Sequence, residues 1–240
     1  GIHHDDMGPI YGTYGNSTKK NDGNQTGGFG LGCKSPFAYI DHFEVISCHA
    51  GVKTIYNLSK SSAQAHGKPG IIPIASFATE ETGLQVSIRI KNSQDHSRFK
   101  ELIARIVKNG DMNMTLNGKA LEVLGFDTSK GNYLITTKNV LHTGSKIVIR
   151  YGNVIYPVDE YAGFNEQYIA ILQHLKRLSS YSNCTLILQA PAHSISVTPS
   201  RESLSMQEHT INTLKGLFND FLNVVNTAFV KECDLYASEV

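Results

Sequence analysis

The stretch Gly27-Gly-Phe-Gly-Leu-Gly-Cys-Lys-Ser-Pro-Phe37 sets four glycines within six residues, next to a lysine and a serine. Backbone without Cβ atoms can bring its N–H groups close to an anion, and a helix beginning near Lys34 adds its positive end. A polyphosphate is the guest this chemistry fits, and a glycine-rich turn without a ligand is the alternative reading. A Walker P-loop is excluded. It requires a second Gly immediately before the Lys, and Gly28-Phe-Gly-Leu-Gly-Cys33-Lys34-Ser35 has Cys33 there, after polar loop rather than a buried strand.

Other reactive groupings read as structural. His3-His4-Asp5-Asp6 lies at the start of the chain without partner ligands at helical spacing, so a solvated terminus is expected and no metal site is assigned. Asp41-His42 with Ser35 nearby lacks a nucleophile elbow, so His42 is expected in a turn before a strand, and no catalytic residue is assigned. Glu80-Glu81 reads as a solvated loop, with a magnesium contact as its sharper alternative.

The elements that must position these groups can be read from periodicity. Residues 1 to 36 are polar and glycine-rich, with a short helix expected near Asp5 to Tyr14. Phe43 to Cys48, Val52 to Leu58, Ile71 to Phe77 and Leu84 to Ile90 are short β-branched and aromatic runs, read as an antiparallel meander. A helix follows with Phe99, Leu102, Ile103, Ile106 and Val107 on one face, ending at Asn109-Gly110. Strands are expected over Met112 to Leu116, Tyr133 to Thr137, Lys146 to Val158, Thr185 to Gln189 and Ser194 to Thr198. A helix with Phe164, Tyr168, Ile171, Leu172 and Leu175 in register lies between them. Ser205-Met-Gln-Glu208 reads as the capping box of a last helix, with Leu214, Leu217, Phe218, Phe221 and Val225 as its stripe. The fold class is therefore α+β, in two lobes, 1–95 and 96–240.

Bulk composition narrows the function classes. The 240 residues carry 22 Lys+Arg and 21 Asp+Glu, a net charge of +1, which excludes a polybasic nucleic-acid tail. No apolar run approaches the roughly 18 residues of a membrane span, so no transmembrane segment is expected. Cys33, Cys48, Cys184 and Cys233 are far apart with no C-x-x-C pair, which predicts free thiols and a cytoplasmic location.

The glycine-rich stretch resembles the lid motif of the GHKL ATPases, the histidine-kinase-like superfamily of gyrase B, MutL, heat-shock chaperones and histidine kinases. The wording is closest to the RIIA-type lysis-inhibition proteins of T-even-like bacteriophages. Four strings carry the resemblance, in order along the chain: Tyr11-Gly-Thr-Tyr-Gly-Asn-Ser-Thr-Lys19, Gly28-Phe-Gly-Leu-Gly-Cys-Lys-Ser-Pro-Phe-Ala-Tyr39, Tyr151-Gly-Asn-Val-Ile-Tyr-Pro-Val158 and Thr198-Pro-Ser-Arg-Glu-Ser-Leu204. The resemblance implies a nucleotide-binding lobe joined to a second, transducer-like lobe, with ATP and Mg as cofactors of the complete protein. It assigns the lid contacts to Gly28, Phe29, Gly30, Leu31, Gly32 and Lys34, with Ser17, Thr18 and Lys19 flanking. Arg201 would be the counterpart of a basic residue that the second lobe sends to the γ-phosphate, and an Arg–Glu pair with Glu202 that fixes the turn is the alternative.

Two departures matter. In the superfamily an upstream helix supplies the Glu that activates water and the Asn that holds magnesium, and an Asp-x-Gly-x-Gly motif reads adenine. Gly1-Ile2 resembles the end of that motif, so this chain is expected to lack hydrolysis, whose general-base step is worth roughly 10²–10⁴-fold. Thr82-Gly83-Leu84 also stands where the family often has Gly-Thr. The resemblance further implies a role in lysis control, phage or host protein partners, a homodimer, and membrane association in the host cytoplasm. The competing reading is a non-catalytic protein-interaction module on the same fold.

Overall fold

The structure is a computed structural model that describes residues 1–17, 30, 32–63, 66–124, 132–136, 144–178, 184–198, 200 and 202–238, with side chains to 227. Thr137 lies outside it. The chain divides into two compact units, Gly1–Arg98 and Phe99–Val240; the sequence reading puts its boundary near residue 95. The architecture is mixed α+β.

In the first unit, β1 (His42–His49), β2 (Val52–Ser62), β3 (Lys68–Ala78) and β4 (Gly83–Ser87) form one antiparallel sheet in the order β3-β2-β1-β4. This corrects the expected meander. Three strands run hairpin to hairpin, and the fourth returns to lie beside the first, in Greek-key order. Pro69 and Pro73 within β3 cannot donate to a ladder, which confines that strand to an edge. β4 pairs with β1 instead, Val86 opposite Val45 and Leu84 opposite Ser47. His42 is the first residue of β1 rather than part of the turn.

A thin helical layer covers one face of this sheet. It consists of α1 (His4–Asp6), a wide π-type turn over Met7–Gly12, and a 3-10 helix over Gly32–Ala38. The expected helix near Asp5 to Tyr14 is thus short and widened, because Pro9 offers no N–H to an α ladder. The helix expected from Lys34 begins at Gly32 and is 3-10, with Pro36 inside it. Met7, Tyr11 and Ile40 bury Phe43, Val45, Tyr56 and Leu58, and Phe37 packs edge-on against Phe43 at 4.9 Å.

In the second unit, the helix α2 (Ser93–Gly110), which begins in the first, reaches its C-terminal end. There the Asn153 side-chain amide donates to the Gly110 carbonyl at 2.8 Å. The hairpin of β5 (Thr115–Leu116) and β6 (Lys119–Ala120) follows. A mixed sheet comes next, built from β7 (Tyr133–Thr136), β8 (Ile147–Tyr151), β9 (Val154–Val158) and β10 (Thr185–Ala190), in the order β7-β10-β8-β9. β10 runs parallel to β8, which requires a crossover, and α3 (Asn165–Leu178) supplies it.

The last helix, α4 (Glu208–Ser238), buries Leu214, Phe218 and Phe221 against this sheet and α3. Phe164 meets Phe218 edge-on at 5.2 Å. β11 (Ser196–Val197) pairs with β12 (Leu204–Ser205), so Ser205 ends a strand and does not cap α4. The first bond of α4 runs from the Ile211 N–H to the Gln207 carbonyl, at 3.0 Å.

His174 packs edge-on against Phe221 between α3 and α4. Burial, and then the nearby Arg177 charge, hold its imidazole below the ordinary value. A depressed folded value means that protonation favours the unfolded chain. Stability is therefore full above the unfolded value of about 6.5 and is lost as pH falls through the folded one. Urea melts between pH 7.5 and 5 are expected to show this loss in the native chain and a flatter profile in His174→Gln.

Candidate functional site

Lys34 is buried, 6% exposed, although lysine is rarely found inside without a partner. The turn of 3-10 helix that starts at Gly32 directs its side chain inward, where the ammonium donates to the carbonyls of Thr13 (2.7 Å) and Gly30 (2.9 Å). It also lies 3.0 Å from the Cys33 sulfur and 5.8 Å from the centre of the Tyr14 ring. Among the described residues no carboxylate contacts this ammonium. Among the described residues the charge is met by carbonyl dipoles, a thiol sulfur and a ring face, with no carboxylate to neutralise it.

Around this charge the chain is tied into one knot. Asn16 donates to the Pro9 carbonyl at 2.9 Å, and Thr13 to the Gly8 carbonyl at 3.1 Å. The Cys33 thiol donates to the Tyr11 carbonyl at 3.3 Å. Burial, with a smaller contribution from Cys33, pushes the Tyr11 phenol up to about 12, so it stays neutral at physiological pH. Gly30 has a φ of +61°, and an added methyl would collide with the Asn16 backbone. Only glycine combines that dihedral with that approach.

Below the knot, the 3-10 helix ends on Tyr39. Its phenol donates to the Asp95 carboxylate at 2.6 Å and accepts from the Lys91 N–H at 2.8 Å, while the Lys91 ammonium lies 5.5 Å from the ring centre. Asp95 is in the first turn of α2. The segment carrying Gly32 and Lys34 is thus linked through Tyr39 to the helix that leaves the first unit.

On the same covered face of the sheet, a polar cavity of about 300 Å³ is lined by Ile2, His3, His4, His49, Ser47 and Tyr56, among others. The Ser47 hydroxyl accepts from the Ile2 N–H at 2.7 Å and donates to the Ile2 carbonyl at 2.8 Å. His4 hydrogen-bonds the Tyr56 hydroxyl at 2.8 Å and stacks on its ring. The histidines at the start of the chain are exposed, as expected of a solvated terminus, and they also form part of the cavity wall. Sequence reasoning passes over this cavity. Its signal is the polar substitution on a period-2 core face: Ser47 after Phe43 and Val45, and Thr54 and Tyr56 before Leu58.

Of the residues assigned to the site, Ser17, Gly30, Gly32 and Lys34 are described. Gly30 and Lys34 are brought together, and the Gly32 carbonyl accepts from the Ser35 hydroxyl at 2.7 Å. Thr18, Lys19, Gly28, Phe29, Leu31 and Arg201 lie outside the described residues. Glu81 pairs with Lys53 at 3.0 Å, which holds its carboxyl below the usual range and accounts for it structurally. Asp41 pairs likewise with Lys60 at 2.9 Å. Among the described residues no group of three or more His, Cys, Asp or Glu is placed to hold a metal ion. Among them, too, no helix is long and apolar enough to cross a membrane.

Comparison with known protein families and with curated proteins finds no match.

Replacing Lys34 by Met removes the donor to two part-buried carbonyls, those of Thr13 and Gly30. Charge-assisted bonds contribute about 1.5–3 kcal/mol each, so Lys34→Met is expected to lower the unfolding free energy by about 2–3 kcal/mol in urea titration. Gly30→Ala is expected to destabilise too, by more than about 1 kcal/mol, since the new side chain meets strain and collision together.

Proposed function

We propose that this chain is part of a GHKL-like nucleotide-binding protein, related to the RIIA type, that works as an ATP-driven conformational switch. The observation that carries the reading is the buried Lys34 ammonium, met among the described residues by two carbonyls and a thiol sulfur but no carboxylate, at the end of a glycine-rich segment. Such a charge gains from an anion entering beside it, and the phosphates of a nucleotide supply one. The cavity at Tyr56 and Ser47 offers hydroxyl and imidazole partners for the less charged part of the ligand, on the same face of the sheet. Its size lies at the lower end of small-molecule pockets.

In this reading Lys34 is a positioning residue. It holds Thr13 and Gly30 in place until phosphate draws on its charge, and Tyr39 passes the rearrangement to Asp95 and α2. The described residues offer no carboxylate set for magnesium, which would arrive with the nucleotide. Hydrolysis belongs to the upstream helix that the resemblance calls for, and turnover by these 240 residues alone is not expected. A part in phage lysis control, with phage or host protein partners in the host cytoplasm, extends the same reading.

A second reading, a protein-interaction module, rests on a different observation. Ile74, Phe77, Leu84 and Val86 are large apolar side chains exposed on the first unit. Calorimetric titration separates the two. Mg-ATP is expected to bind a version of the chain extended upstream, and Lys34→Met is expected to weaken that binding at least tenfold. Tyr39→Phe is expected to retain binding while abolishing the nucleotide-dependent change in protease protection of α2. If neither the native nor the extended chain binds, the glycine-rich segment is structural and the interaction module stands.

A further inference from the structure

The two edges of the first sheet are built differently. β3 carries Lys68, Pro69 and Pro73, and its pairing with β2 is broken by a register shift between Ile55 and Tyr56. These are the devices that keep an edge from recruiting another strand. β4 has none of them. Among the described residues it pairs with β1 alone, and residues 84 to 88, Leu-Gln-Val-Ser-Ile, hold no proline and no charge.

Its side chains are also left bare. Val86 lies directly opposite Val45, so both face the same side of the sheet. Val45 is 0% exposed beneath the helical layer, and Val86 is 42% exposed. Leu84 is 42% exposed and Ile88 37%. The helical layer covers the inner strands and stops short of β4.

We propose that two copies of this chain pair through β4, antiparallel about a two-fold axis at Val86, to make one continuous sheet. The occupant follows from the pattern of the strand itself. Pairing about Val86 sets it against its own copy, Leu84 against Ile88 and Gln85 against Ser87. Apolar side chains then meet apolar ones on the bare face, and polar ones meet polar ones on the other. Arg89 falls opposite Gly83, so no like charges are opposed. The alternation that leaves β4 exposed in one copy is therefore complementary to itself. A pairing of this kind is isologous and closes at two copies, so it gives a dimer and not a fibre. The inference is independent of nucleotide binding.

Light scattering on the 240-residue chain across a concentration series tests it. A dimer is expected for the native chain. Val86→Lys, an inserted edge charge, is expected to raise the dissociation constant at least tenfold with an unchanged circular dichroism spectrum. Phe77→Lys, at a residue exposed on β3, is expected to leave the dimer intact. Register is tested by mild oxidation. Opposed residues on neighbouring strands lie about 4.5–5.5 Å apart between Cα atoms, within reach of a disulfide. Val86→Cys is therefore expected to cross-link into a covalent dimer. The two copies of residue 84 would be about 14 Å apart, so Leu84→Cys is expected not to. A native chain that stays monomeric at high micromolar concentration overturns the proposal. So does a dimer indifferent to Val86→Lys, or cross-linking of Leu84→Cys as readily as of Val86→Cys.

Discussion

An ammonium taken out of water must be met by something, and in the first unit the chain itself meets that of Lys34. It is the one buried lysine among the described residues, and the carbonyls of Thr13 and Gly30 converge on it. That requirement draws Gly30 back onto the N-terminal turns and fixes where it must pass Asn16. The same constraint orients the 3-10 helix, which sends Phe37 and Tyr39 on to their partners.

 The Phe37 ring goes to Phe43 in the sheet, and the Tyr39 phenol to Asp95 at the start of α2. One charge thus organises the contacts of a segment whose composition favours no regular structure by itself.

The helical layer is thin, and its reach decides the rest of the unit. Three short pieces of helix cover the strands that carry Phe43, Val45, Tyr56 and Leu58, and leave the β4 side of the same face open. The polar cavity at Ser47 and Tyr56 and the bare strand at Leu84 and Val86 share this origin: a sheet wider than the layer laid over it. In the second unit the sheet and helices are better matched. Ile147, Ile149, Leu186, Leu214 and Phe218 are almost wholly enclosed, and Arg150 is held by Gln189 and the Leu124 carbonyl.

What was legible in the sequence was local. Strict alternation from Leu84 to Ile90 and the 3.6-residue stripe from Leu214 to Phe221 identify a strand and a helix without outside information. The order of strands was not legible, because the choice of β1 over β3 as the neighbour of β4 turns on prolines in a different strand. Ser205 does not cap α4, because pairing with Ser196 competes for the same residue. At the site, the glycines and Lys34 stand out by type and spacing. The inward direction of Lys34 does not, since lysine is ordinarily a surface residue and its partners here are backbone carbonyls that no side-chain pattern encodes. The role of Tyr39 depends on a contact 56 residues away, beyond the reach of any local motif.

The Lys34 charge holds Gly30 and the turn of residues 32–40 in their folded arrangement. Hydrogen–deuterium exchange, resolved to peptides over 32–40 and 42–49, compares the native chain with Lys34→Met most directly. The Tyr39 and Ile40 amides bond to the Pro36 carbonyl at 3.0 and 2.9 Å, so protection over 32–40 reports that arrangement. At least tenfold faster exchange over 32–40 is expected in Lys34→Met, with β1 still protected. Equal protection of 32–40 in both chains would contradict it, and would leave the burial of Lys34 a consequence of the fold and not its support.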